Sequence, residues 1–343
     1  MGFGEPIPGQ QAWTLRENES LPYFKQAIEL GINFWDTANY YTYGSSEEIV
    51  GQAIKKYSRR EDIVLSTKVG LPMHYGPGGN GLSRRAIFEQ VEASLRRLDT
   101  DYIDLYSIHR WDPNTPVEET MEALNDIVRS GKVRYLGASS MYAWQFAEMQ
   151  HVAAKNGWAQ FISMQNLHNL VFREEEREMF GLLDYLGVGS ITYSPLAKGR
   201  LALPWGARTE RMENDPPGLR FDIDDDKPIV DAVERIAKER GVAMAQVSMA
   251  WLYTNSVIDA PILGPAHESH LPDAVGALHF TLTEQEVSEL EKHYRPHEPL
   301  NVDGLEDPTL SRSRDQATRR KNAPSVGYRP TGPVRDRAVG VQA

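Results

Sequence analysis

The chain has 343 residues, 25% of them charged, with a net charge of −11 and a pI near 5.4. That balance excludes the basic stripe a nucleic-acid surface needs, and the lack of cysteine excludes disulfides, thiolate nucleophiles and Cys-based zinc or iron–sulfur centres. The start shows no basic segment leading into an apolar one, and no apolar run reaches the ~20 residues of a membrane span, so the expectation is a cytoplasmic enzyme or binding protein.

In chain order, a helical pattern around Glu19 to Leu30 comes before any recognisable strand. Short apolar runs then alternate with helical patterns, the signature of βα units building a parallel sheet. Seven strands are expected: Ile32 to Thr37, Ile63 to Val69, Ile103 to His109, Val133 to Ser139, Phe161 to Gln165, Gly189 to Ser194 and Ala260 to Gly264. The fold class is therefore a (β/α)8 TIM barrel. Because each helix of such a barrel follows a strand, its first strand is expected to be truncated, lying upstream of Met1 or reduced to Met1-Gly2-Phe3-Gly4.

Ser45 with Glu48 and Thr115 with Glu118 have capping-box spacing, and Pro116 suits a first helical position, so each pair predicts a helix start. On the third helix Ile87, Val91, Leu95 and Leu98 share a face, while Arg84, Arg85, Arg96 and Arg97 read as solvated. Gly131 and Gly241 predict helix ends. Residues 204 to 228, with Asp224-Asp225-Asp226, read as a long wet loop rather than a metal site. The barrel is expected over 1–295 and a disordered tail over 296–343.

Three strands stop on ionisable residues, where such barrels place their chemistry: Asp36, followed closely by Tyr41, then Lys68, then His109. A buried ammonium needs a partner, and Asp36 on the neighbouring strand is the natural one. A structural reading, in which this pair only seals the barrel, competes with a catalytic one. Tyr41 and His109 favour catalysis: the ammonium is expected to lower the tyrosine pKa, and the imidazole can hydrogen-bond a carbonyl oxygen. No side chain supplies a hydride, so reduction here requires a nicotinamide or flavin. Gly76-x-Gly78-x-x-Gly81 matches the dinucleotide fingerprint only as letters, since it does not directly follow a strand and contains Pro77; it reads as a loop over the mouth.

At these residues the chain resembles the aldo-keto reductases. Asp36-Thr37-Ala38 with Tyr41, then Ser45-Ser46-Glu47-Glu48, looks like the family's strand-two signature, and Lys68 and His109 fall at its lysine and histidine. The resemblance matches Ser139-Ser140 to the family's Ser-Asn pair, implying that Ser139 contacts the nicotinamide amide with Gln165 as the matching glutamine partner, that Ser140 also belongs to the cofactor site, and that Tyr193 stacks on the ring. It places Ser194, Leu196, Gly264, His267 and His270 along the rest of the cofactor. His109-Arg110-Trp111-Asp112 and Ser139-Ser140-Met141 further resemble a bacterial stand-alone branch of carbonyl reductases. Ser140 stands for the usual asparagine, and His267, Glu268 and His270 stand where the family commonly has an arginine for the 2′-phosphate of NADP. The implied function is NAD(P)H-dependent reduction of small-molecule aldehydes or ketones, with NADPH expected, NAD possible, and no metal, nucleic-acid or membrane partner. The alternatives are a nicotinamide-binding, redox-sensing subunit and a metal-dependent hydrolase; the second is disfavoured because no His-x-His pair ends a strand.

Overall fold

A computed structural model describes residues 2–8, 11–209, 212, 224–300 and 302. Seven parallel strands pair in sequence order: β1 Phe34–Asp36, β2 Val64–Val69, β3 Ile103–Ile108, β4 Val133–Ser139, β5 Phe161–Leu167, β6 Gly189–Tyr193 and β7 Ile258–Pro261. Helices alternate with them: α1 Glu17–Glu29 before β1, α2 Ser45–Tyr57, α3 Arg84–Leu98, α4 Val117–Arg129, α5 Ala143–Asn156 and α6 Met179–Leu186. This is the layout of a (β/α)8 barrel. Strands covered on both faces need continuous burial, and β3 has it, with Leu105, Tyr106, Ser107 and Ile108 all buried.

No strand of the sheet precedes α1 among the described residues. Phe3 makes only an isolated parallel bridge to Leu15, and Gly4 donates its N–H to the Leu15 carbonyl at 2.9 Å. Residues 2–4 nevertheless lie between the two ends of the sheet. A Cβ on Gly2 would sit 3.7 Å from Gly264, beyond β7, and one on Gly4 would collide with the Thr42 side chain, beyond β1.

The helices pack as their patterning requires, with three corrections at their ends. Ile87, Val91, Leu95 and Leu98 are buried and Arg84, Arg85 and Arg96 are exposed. Arg97 is not a solvated residue: its Nε donates to Glu47 Oε2 at 2.6 Å, and the fully buried Glu47 also accepts from Thr67 Oγ1 at 2.6 Å. α2 starts at Ser45, but Gly44 is the cap residue, and the Ser45 hydroxyl turns back to the Thr42 carbonyl. Thr115 likewise gives its hydroxyl to Asp112, and Pro116 is the cap residue of α4 rather than its first helical residue. The side-chain caps that do form are Ser83 on α3 and Thr283 on the helix Glu284–Glu291.

Asp224–Asp226 is a turn of 3-10 helix leading into the helix Lys227–Arg240, and Asp226 is buried, 3.7 Å from the His297 ring. Asp226 of the expected 204–228 loop is therefore packed rather than wet, whereas Asp224 and Asp225 are exposed as expected. Positions 210, 211 and 213–223 of that stretch lie outside the described residues. Beyond 295, the His297 N–H donates to Glu174 at 2.7 Å and Val302 is buried, so the first residues of the expected tail are docked; 301 and 303–343 lie outside the described residues. No described helix is long and apolar enough to cross a membrane.

Candidate active site

Parallel pairing with neighbouring strands in step brings the carboxyl ends of β1 to β6 to one mouth. Asp36 lies level with Ser66, Lys68 with Ser107, Ser139 with Gln165 and Leu167 with Tyr193. Lys68 Nζ reaches Asp36 Oδ2 at 2.5 Å, the Thr37 carbonyl at 2.8 Å and Tyr41 Oη at 3.5 Å. Its side chain is wholly buried, which a cation tolerates only with such a complement of acceptors. The remaining oxygen of Asp36 accepts from Ser66 Oγ at 2.9 Å and from Gln165 Nε2 at 3.1 Å. His109, held by its N–H to the Val69 carbonyl, sets its ring edge-on to Tyr41, 5.6 Å between centroids. The four expected catalytic residues are thus one cluster.

The electrostatics correct one expectation. Burial pushes the Tyr41 phenol up, and the opposing pull of Lys68 does not overcome it, so its pKa is raised rather than lowered. Burial also works against the Lys68 charge, but Asp36 and Tyr41 outweigh it and the ammonium persists. Burial, then the charges of Arg110 and Lys68, hold His109 well below the usual imidazole range. The resting cluster is a neutral phenol beside a neutral imidazole, backed by a buried ion pair. That suits an acid which must hold its proton until charge develops on a neighbouring oxygen.

Across the mouth, Ser140 Oγ donates to Tyr193 Oη at 3.2 Å and lies 3.3 Å from Ser139 Oγ. Ser139, Ser140 and Gln165 are buried, so hydroxyl and amide groups converge beside a tyrosine ring. This donor set suits a carboxamide-bearing aromatic ring such as nicotinamide, as the resemblance implied. The chain beyond it takes up left-handed backbone at Ser194, Ala197 and Lys198, with φ of 53°, 47° and 57°, and Asn169 Nδ2 fixes the Ser194 carbonyl at 2.9 Å. Such conformations in non-glycine residues cluster where a ligand dictates backbone shape. Gly264 and His267 follow β7 on an exposed loop, and His270 is the exposed first residue of the helix His270–Gly276. His267 Nδ1 lies 3.1 Å from Ser269 Oγ, and His270 Nδ1 accepts the Ala266 N–H at 3.1 Å. Burial and then His267 hold the His270 pKa down, opposite to what a resident cationic phosphate site needs.

Sequence reasoning missed Ser66, Asn169 and the contact of Gln165 with Asp36. Ser66 was detectable, since alternation along a strand puts it on the same face as Lys68. Gly76, Gly78 and Gly81 lie in the loop after β2 with φ of 93°, 80° and 79°, as the loop reading expected.

Comparison with known proteins agrees with this geometry. Residues 1–295 match the profile of the Aldo/keto reductase family. Over 319 residues the chain is 44% identical to a versiconal hemiacetal acetate reductase of Aspergillus parasiticus, covering 86% of this chain and 92% of the relative. Aldo-keto reductase AFTS1 of Alternaria alternata is 42% identical over 314 residues, 84% of this chain and 85% of its own. Aldo-keto reductase dtxS3 of Metarhizium robertsii is 43% identical over 312 residues, 83% and 84% respectively. These relatives are fungal and give no support to the bacterial branch expected from local motifs, nor to a redox-sensing subunit. A seven-stranded parallel barrel with Asp36, Tyr41, Lys68 and His109 at its mouth, matched from residue 1 to residue 295, belongs to the aldo/keto reductase family.

Proposed function

We propose that this protein reduces an aldehyde or ketone to the alcohol with NADPH, Tyr41 giving the proton to the carbonyl oxygen. The observation that carries this is the Tyr41 phenol, kept protonated by burial while the Lys68 ammonium waits 3.5 Å away. The nicotinamide, when bound, supplies the hydride to the carbonyl carbon. Ser139, Ser140 and Gln165 would hold its amide and Tyr193 its ring; Ser194, Leu196, Gly264, His267 and His270 would hold the remainder. His109, neutral, hydrogen-bonds the carbonyl oxygen and orients it towards Tyr41. Lys68 stabilises the phenolate left behind, and Asp36 keeps Lys68 charged and in place until solvent returns the proton.

The segments after β1 and β2 expose Tyr43 at 50% and Tyr75 at 95%, and the start of α5 exposes Trp144 at 61%, its ring 5.8 Å from that of Trp111 after β3. Large exposed rings beside a reactive cluster favour flat substrates. The setting we propose is cytoplasmic. NADPH is favoured because the nicotinamide side keeps the family pattern, although the histidine pair is a weaker phosphate ligand than an arginine. The test is a panel of aryl and alkyl carbonyls assayed with NADPH and with NADH, on the native chain and Tyr41→Phe. The variant should lose at least ~100-fold in turnover while still binding cofactor. Undiminished turnover removes Tyr41 as the acid, and a higher specificity constant with NADH reverses the cofactor preference.

A further inference from the structure

Among the described residues, three partly buried arginines pair with carboxylates, and Arg110 does not. Arg60 binds Asp104 at 2.6 Å, Arg97 binds Glu47 at 2.6 Å, and Arg173 binds Glu176 at 2.8 Å and Glu291 at 3.4 Å. Buried Arg200 lies over the Trp205 ring. Arg110, also partly buried, makes one hydrogen bond, from Nη1 to the His109 carbonyl at 2.6 Å, and no carboxylate lies within 4.0 Å of it among the described residues. A guanidinium with no carboxylate beside it keeps its charge and its fork of donors for an anionic partner. The place is specific. Arg110 directly follows His109, and its positive charge is felt both by the Tyr41 phenol and by the His109 ring.

We infer that Arg110 is the specificity-determining cation of this site, and that the preferred substrates are aldehydes or ketones carrying a carboxylate within reach of it. The inference rests on the carbonyl-reductase reading above. The planar guanidinium presents a fork of donors matched to a carboxylate, so a bound anion fixes both the position and the rotation of the attached carbonyl. The reaction itself is unchanged: hydride to carbon, proton from Tyr41 to oxygen, carboxylate carried through intact. Nearby Asp112 does not compete for Arg110, because its two oxygens already accept from the N–H groups of Leu82 and Asn114 and the Thr115 hydroxyl.

The experiment compares kcat/KM for benzaldehyde with those for the ortho, meta and para carboxybenzaldehydes, with saturating NADPH, in the native chain, Arg110→Gln and Arg110→Lys. An ionised carboxylate changes the reactivity of the carbonyl little, so the ratio to benzaldehyde reads recognition. At least one isomer should exceed benzaldehyde by about 10- to 100-fold, the scale of a charge-assisted hydrogen bond, with most of the gain in KM. The ratio should fall to about one in Arg110→Gln, lie between in Arg110→Lys, and shrink with added salt in the native chain. The salt series keeps the test decisive if a variant folds poorly. No isomer above benzaldehyde, or a ratio that survives Arg110→Gln with both rates lowered together, overturns the inference and leaves carbonyl reduction standing. Failure to reduce any carbonyl of the panel with either nicotinamide overturns the reductase reading as well.

Discussion

Replacing Lys68 tests whether the buried ion pair works on Tyr41 or only holds the barrel together. Unit charges 3.5 Å apart interact by about 5 kcal/mol at an effective dielectric constant of about 20, so the ammonium opposite Tyr41 Oη is worth at most that to a phenolate. Asp36, on the far side of the ammonium, repels the same phenolate and cancels roughly half, leaving about 2 to 3 kcal/mol, or near 100-fold in rate at about 1.4 kcal/mol per decade. Lys68→Met alone keeps the repulsion and should lose at least ~1000-fold. It should also lose about 3 to 5 kcal/mol of stability, because Asp36 would keep only Ser66 and Gln165 as donors. Lys68→Met/Asp36→Asn removes both charges. Its stability should return to within about 2 kcal/mol of the native chain while kcat/KM stays near 100-fold down. Single-turnover oxidation of NADPH at neutral pH and urea unfolding report the two quantities separately. Native rates in the double variant would show that the ammonium is structural only, and a single variant as stable as the double would show that Asp36 is not held by Lys68.

Three further outcomes follow from the same geometry. With the Tyr41 pKa above 10.0 and that of His109 well below 6.5, acid and orienting group keep one protonation state between those values, so kcat/KM for reduction should be flat from pH 6.5 to 10.0; an inflection inside that window in a pH profile contradicts the assignment. Burial, helped by Arg173, holds fully buried His168 down at about 3 against an ordinary 6.5, so its contribution to stability is complete above 6.5 and is lost as pH falls towards about 3. Two pH units below 6.5 the loss should be about 3 kcal/mol, and His168→Phe should flatten that slope in urea titrations at neutral and acid pH. On α2, a Cβ at Gly51 would meet the Leu98 carbonyl oxygen at 2.5 Å, backbone that cannot swing away, so Gly51→Ala should cost about 1 to 3 kcal/mol in a thermal melt despite alanine's better helix propensity.

The strands were legible because parallel strands covered on both faces are written as apolar runs; six lie where those runs fall, and β7 shares only residues 260 and 261 with the run expected to Gly264. Their ends were less so. β5 continues through Asn166 and Leu167, since Asn166 is buried although its side chain reads as a strand terminator. β7 begins two residues early, at Ile258, because Asp259 inside it looks like a loop residue yet uses Oδ2 to accept the Ser190 N–H at 2.8 Å. The site was legible where one residue type has few reasons to be present, as with a lysine ending an apolar strand. It was illegible where depth decides: sequence shows that a cation neighbours Tyr41, but not that burial outweighs it. The capping boxes failed for a related reason, because Ser45 and Thr115 had nearer acceptors in their own loops.

Counting charges at the mouth gives the resting state of the site and explains why one residue there stands apart. Lys68 and Asp36 neutralise each other at 2.5 Å, Tyr41 keeps its proton, and His109 is held neutral, so these four residues contribute no net charge. Arg110 adds a positive charge that acts on Tyr41 and His109, on a chain whose net charge is −11. An anionic reactant approaching that chain meets a repulsive background and needs a local cation to enter. The same charge lowers the cost of the phenolate formed when Tyr41 gives up its proton, so one guanidinium would both admit the substrate and favour the step that consumes it. The two effects separate in experiment: admission acts on KM, depends on a carboxylate in the substrate and is screened by salt, whereas the effect on the phenolate acts on kcat for every carbonyl alike.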